Sequence, residues 1–214
     1  MKNRFRSLTL FAICLLATTT FLSGCAKTGM QRSVKASNSI EQVDSEMRKM
    51  VTQIDTTAAS LDAVVSPGQP DLKKAFNTYS DNVADLEKTG DKVLKYMAEM
   101  KVNTKEYFTE WSKEGDAYTN PRLRELSQER QNKLADIYAQ VPAANEGVKE
   151  SYQAYITDLK EIQMYLSNDL TPNGIASVTP ITQKSVRDLD RLKASIRPVI
   201  YALDEIKAEL YSGK

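Results

Sequence analysis

The sequence predicts an all-α fold, an elongated antiparallel up-down-up-down four-helix bundle with coiled-coil-like packing, on three observations. Apolar residues recur at steps of three and four along most of the chain after residue 37. No segment bounded by turns alternates apolar and polar residues with a period of two, so no sheet is expected. Three interruptions dense in turn residues, "SPGQPD", "YTNP" and "NDLTPNGIASVTP", divide the periodic stretches into four. Connections this short make consecutive helices run antiparallel.

The first helix carries Ile40, Val43, Met47, Met50, Ile54, Ala58, Leu61 and Val65 on one stripe. Asn38 is its expected N-cap, with Glu41 at the capping-box spacing. "SPGQPD" ends it at Ser66 and opens the next, where Pro70 is tolerated in a first turn. The second helix is the most regular: Leu72, Phe76, Tyr79, Val83, Leu86, Gly90, Val93, Met97 and Met100 alternate steps of four and three, a coiled-coil seam. It continues past Tyr107 and Trp111 to about Asp116, and a helix of about 45 residues is about 65 Å long.

Asn120 as N-cap and Pro121 in the first turn start the third helix, with Leu126, Leu134, Ile137, Val141, Val148, Tyr155, Leu159, Ile162 and Leu166 as its apolar positions. Thr179 and Pro180 are expected to open the last helix, which uses Val186, Leu189, Leu192, Ile196, Val199, Leu203, Ile206 and Leu210. Gly90 and Gly147 are equidistant from the turn at Tyr118 and Thr119. They are therefore expected to face each other at a waist, with bends at Pro142 and Pro198.

The first 24 residues read differently. Lys2, Arg4 and Arg6 precede the apolar run "LTLFAICLLATTTFL", which ends on Ser23 and Gly24. This is the shape of a secretory signal peptide, shorter than the roughly 20 apolar residues of a spanning helix. "LSGC" at positions 22 to 25 resembles the lipobox of bacterial lipoproteins. That resemblance implies cleavage before Cys25 and acylation of Cys25, so that acyl chains hold the protein to a membrane. Ala26, where an aspartate would favour the inner membrane, implies the periplasmic face of the outer membrane. The domains are then 1–24 signal peptide, 25–36 lipidated cysteine and tether, and 37–214 helical bundle.

Composition narrows the function classes. The chain has 29 Lys and Arg, of which Lys2, Arg4 and Arg6 fall in the signal; the remaining 26 face 28 Asp and Glu, a net charge of −2. A mixed, near-neutral surface is not the footprint of a nucleic-acid binder. Cys14 lies in the signal, so the processed chain has no second cysteine for a disulfide and its core must hold it. With no histidine there is no imidazole base, no His metal ligand and no Ser-His or Cys-His pair. No glycine-rich phosphate loop occurs. Neither cofactor nor metal is expected, and no enzyme. Asp81 with Asp85, and Glu106 with Glu110, lie one turn apart, a spacing that acid-base chemistry could use but that a solvated helix face also produces.

"EWSKEGDAYTNPRLRELSQER" and "LKEIQMYLSNDLTPNGIASV", with a looser match from "AKTGMQRS" onward, resemble an uncharacterised family of bacterial envelope proteins, a helical domain of unknown function. The family's Lys-His-Asn run after Tyr-Leu is replaced here by Ser167, Asn168 and Asp169. The resemblance implies a place in the cell envelope and no activity.

The expected function is that of a lipid-anchored structural or adaptor protein of the envelope, binding an unidentified protein partner through a helix face or the far tip. Tyr107, Trp111 and Tyr118 are the candidate contacts, since Trp and Tyr anchor interfaces; the same rings could instead plug the end of the core. The alternative is a binding module holding a lipophilic ligand in the bundle core, made adaptable by Met47, Met50, Met97 and Met100.

Overall fold

The structure, a computed structural model, describes residues 28–211. Four α-helices account for almost all of them, and no strand occurs among the described residues: α1 (Gly29–Val65), α2 (Leu72–Asp116), α3 (Pro121–Asn168) and α4 (Pro172–Tyr211). Helix α1 packs against α2 and α4, and α3 packs against the same two, while no close backbone approach joins α1 to α3 or α2 to α4. The signal segment and Cys25 lie outside the described residues.

Local chemistry fixes the ends. Asn120 Oδ1 accepts from the backbone of Arg122 and Leu123 at 2.9 and 3.4 Å, with Pro121 at the first helical position, as the sequence predicts. Gly68 takes φ +76° between α1 and α2, a conformation that glycine adopts without steric cost. Pro70 falls just before the cap, and Asp71 caps α2 by accepting from the Lys74 backbone at 3.0 Å.

Two starts differ from expectation. Helix α1 begins at Gly29, so 29–36 is already helical and Asn38 is interior; Thr28 and Gln31 form the capping box instead, with bonds of 3.1 and 3.3 Å. Helix α4 begins at Pro172, and Pro180 lies inside it. Thr171 Oγ1 accepts from the Gly174 backbone at 3.1 Å and donates to Asp169 Oδ1 at 2.7 Å. A Cβ built on Gly174 would overlap the Asp169 carbonyl, so glycine is what lets the chain reverse so tightly here.

The core is continuous along the helices. Tyr79, Val83, Leu86, Gly90, Val93, Met97 and Met100, the expected seam of α2, are all buried. Opposite them α1 buries Ile40, Val43, Met47, Met50 and Ile54, and α3 buries Leu134, Val141, Val148, Tyr155, Leu159, Ile162 and Leu166. Two tyrosines stitch the backbones, their hydroxyls donating to carbonyls of a neighbouring helix. Tyr79 Oη donates to the Leu159 carbonyl at 2.7 Å, and Tyr152 Oη to the Glu87 carbonyl at 3.1 Å.

Tyr152 explains Gly90. A Cβ on Gly90 would overlap the Tyr152 ring, so the missing side chain makes room for an aromatic one from α3. The two glycines do not face each other: Gly147 is exposed, and a Cβ there would meet only the Ser195 side chain, at 3.8 Å. Helices α3 and α4 both continue through their internal prolines, Pro142, Pro180 and Pro198.

Candidate functional site

Cross-helix contacts bring the start of the described chain and the α2–α3 turn to one end of the molecule. Arg32 on the first turn of α1 pairs with Glu114 on the last turn of α2, and Lys35 pairs with Glu106 at 3.4 Å. Trp111 Nε1 donates to Ser127 Oγ at 2.9 Å, and Gln131 Nε2 to the Phe108 carbonyl at 2.9 Å, tying α2 to α3. The last turns of α4 join this end through Glu209, which binds Arg130 and, at 2.8 Å, Lys133. Those two cations hold the Glu209 carboxyl below the usual carboxylate range, Lys133 more strongly than Arg130.

The three aromatic candidates separate here. Tyr107 and Trp111 are half-buried in a ring cluster with Phe108 and Tyr138: Tyr107 and Trp111 centroids lie 5.3 Å apart, and Phe108 meets Tyr138 edge-on at 5.3 Å. Burial pushes the Tyr107 phenol up. These rings plug the end of the core, and their polar atoms reach its rim. Tyr118 is exposed on the turn itself. A crevice of about 250 Å³ runs between it and Met30, floored by Trp111 and Tyr107.

The other end carries two features that periodicity did not reveal. Along the first half of α4 the buried positions are Gly174, Val178, Thr182, Ser185 and Asp188, a mostly small and polar seam. Asp188 binds Lys184 at 2.9 Å and Arg191 at 3.2 Å, and Lys184 also reaches Asp158 of α3 at 2.6 Å. Lys184 holds the Asp188 carboxyl below its usual range, above all through its hydrogen bond. Next to this seam a cleft of about 220 Å³ opens between α1 and α4, lined by Ala58, Leu61, Val65, Tyr155, Thr182, Ser185, Val186 and Leu189. Ion pairs join α1 to α4 from one turn beyond the cleft toward the opposite end: Lys193 with Asp55, Arg48 with Asp204 at 2.8 Å, Lys207 with Asp44 at 2.7 Å.

Neither carboxylate pair converges on a site. Asp81 and Asp85 are exposed on α2, while Glu106 and Glu110 face Lys35 and Lys113. Among the described residues no group of three His, Cys, Asp or Glu could hold a metal ion, and no helix is long and apolar enough to cross a membrane. The four methionines are sealed in the core, away from the cleft.

The sequence profile of a family described as "Protein of unknown function (DUF2959)" matches residues 22–209, and the chain belongs to that family. No curated protein and no solved structure matches the chain.

Proposed function

Taking membership of this family as the premise, we propose that the protein is a lipid-anchored, non-enzymatic adaptor of the bacterial cell envelope, built as an elongated antiparallel up-down-up-down four-helix bundle. The order of the cross-helix contacts supports the architecture. Arg32 meets Glu114 while Gln53 meets Asn82, and Trp111 meets Ser127 while Tyr79 meets Leu159, so partner numbers fall as residue numbers rise. The regular seam of α2, buried throughout, supports coiled-coil-like packing.

The observation that carries the anchor is the position of the first cap. Helix α1 is capped at Thr28, so only Ala26 and Lys27 separate Cys25 from the helical body. Acyl chains on Cys25 would therefore sit close to the start of a long helix. The family match begins at residue 22, the first of "LSGC", so the match takes in the residues that the lipobox reading uses. Two or three acyl chains make such an attachment stable, where one is marginal.

A partner contact is better supported at the end away from the anchor. The cleft between α1 and α4 has the scale of one inserted ring, since a cavity of about 150 Å³ admits benzene, and its exposed lip residue Val186 is apolar. Burying one aromatic or aliphatic anchor in such a pocket is how interfaces concentrate their energy. The same size counts against a lipid in the core, because pockets for drug-sized ligands run from about 300 Å³ upward.

Two measurements test this reading. Cys25→Ser should abolish incorporation of a palmitate analogue and leave unprocessed precursor; labelling that persists would refute the anchor. A photo-crosslinker at Val186 should trap one envelope protein in living cells, and the same crosslinker at exposed Tyr201 should not. Equal trapping at both positions would refute the adaptor surface.

A further inference from the structure

We propose that the end of the molecule formed by the start of α1 and the α2–α3 turn lies in the headgroup region of the membrane that carries the lipid on Cys25. This rests on the anchor reading and extends it from an attachment point to a docking face.

Chain geometry gives the reach. Three residues lead from Cys25 to Thr28, and extended chain covers at most about 3.6 Å per residue, so the acylated cysteine lies within about 11 Å of the cap. Arg32 and Glu114 bind that cap's helix to the end of α2, so the α2–α3 turn stands beside the point where the chain leaves for the lipid. A bilayer surface at Cys25 is thus a surface at Tyr118.

The side chains exposed there suit that surface. Met30 is 78% exposed and Leu123 52%, and Leu126 and Tyr118 are also exposed. Leu123 and Leu126 fall one turn apart on α3, hence on one face. Arg122 and Arg124 flank them, Arg122 held by Glu125 at 2.6 Å and Arg124 donating to the Tyr118 carbonyl at 2.7 Å. Apolar residues with a tyrosine and arginines at their rim are the composition of groups that settle about 5–10 Å into the headgroup boundary. The aromatic plug beneath, Trp111 held to Ser127, keeps this end from opening when its outer residues leave water.

Acylation uses up the thiol of Cys25, and Cys14 lies in the segment ahead of it. A new cysteine is then the one free thiol of the processed protein, which makes the test clean. Full-length chains bearing Leu123→Cys, Leu126→Cys or, at the opposite end, Met164→Cys, an exposed position, are purified lipidated and labelled with an environment-sensitive fluorophore. They are reconstituted into phosphatidylethanolamine–phosphatidylglycerol vesicles with brominated acyl chains. The expected result is a blue shift and several-fold stronger quenching at 123 and 126 than at 164. Intact mass showing acyl chains on Cys25 together with equal, water-like emission at all three positions overturns the docking face and leaves the anchor standing. Mass showing a free cysteine removes the anchor and the docking face with it. Two positions on the tip guard against one substitution disturbing the fold, which helicity of each variant checks.

Discussion

The seam of α2 and the seam along the first half of α4 do the same job with opposite materials. From Tyr79 to Met100 the buried positions of α2 are apolar apart from Gly90, and they meet apolar side chains of α1 and α3. From Gly174 to Asp188 the buried positions of α4 are Gly, Val, Thr, Ser and Asp. Thr182 and Ser185 satisfy their hydroxyls on the carbonyls of Thr179 and Thr182, each at 2.8 Å, and Asp188 is met by Lys184. A helix can thus bury a polar stripe if each polar group carries its own partner along. Hydroxyls satisfied within α4 add no bond across to a neighbouring helix. The cleft between α1 and α4 opens beside this polar seam, while α1 and α2 stay closed along Gln53, Thr57 and Asn82.

The comparison breaks most visibly in α2. Leu86 is fully buried there, and Leu86→Ala should cost about 2–5 kcal/mol, the lost transfer energy plus the cavity left behind. Chemical denaturation should show a lower midpoint at unchanged slope. A loss under about 1 kcal/mol would mean that the seam collapses around the gap, and α2 would be no stiffer than α4.

Gly90 gives a smaller effect of unusual sign. At most helical positions Gly→Ala gains about 1 kcal/mol. At Gly90 the new methyl overlaps the Tyr152 ring, and overpacking costs about 1–3 kcal/mol, so Gly90→Ala should destabilise by about 1 kcal/mol net. In a Tyr152→Leu background, which removes the ring and its bond to the Glu87 carbonyl, the same change should become neutral or stabilising. A double-mutant cycle reads that reversal. No coupling between the two positions would rule out the tyrosine as the reason for the glycine.

These positions also show what was legible in the sequence. Apolar residues at helical spacing located α2 from end to end, because its seam is unbroken and its flanks carry Asp71 and Asn120. The starts of α1 and α4 differ from expectation for one physical reason: their first turns bury Arg32, Ala36 and Ser39, or Gly174, Val178 and Thr182, which make no continuous apolar stripe. Competing caps decided the rest. Thr171-Pro172 and Thr179-Pro180 are equal as patterns, and only the close approach of Gly174 to Asp169 separates them. For the candidate site, the aromatic character of Tyr107, Trp111 and Tyr118 was plain from the sequence. That they sit beside the start of α1 was not, since it follows from the pairing of Arg32 with Glu114 across the fold. Gly90 opposite Tyr152 was equally hidden, because nothing local to either residue names the other.

The polar seam is sharpened by pH. Asp188 has its carboxyl depressed by the hydrogen bond from Lys184. A depressed carboxylate contributes stability that is present above the unfolded value, near 3.9, and is lost as pH falls through the folded value. Asp188→Asn should therefore be less stable than the parent by about 1 kcal/mol at pH 7, a modest figure because Lys184 is half exposed and keeps Asp158. The difference should shrink progressively below pH 4. Denaturation of both proteins across pH 2–7 checks it, and a difference that stays constant to pH 2 would mean that Asp188 acts by packing and not by charge.

The smallest effect expected is at Ser185, and it tests the comparison most directly. Ser185 is as buried as Leu86, so burial alone would make the two positions equally sensitive. Their chemistry says otherwise. Ser185→Ala removes a hydroxyl whose partner is the Thr182 carbonyl of its own helix, at 2.8 Å. An intramolecular hydrogen bond of this kind contributes about 0.5–1.5 kcal/mol net. Against that loss stand the better helix propensity of alanine, about 0.5 kcal/mol, and the retention of the Cβ that fills the space. The sum should fall within about 0.5 kcal/mol of zero. Thermal unfolding of Ser185→Ala beside Leu86→Ala gives the ratio. A cost above about 2 kcal/mol at Ser185 would mean that its hydroxyl is holding α3 or α1 as well as α4, and the polar seam would then be as firm as the apolar one.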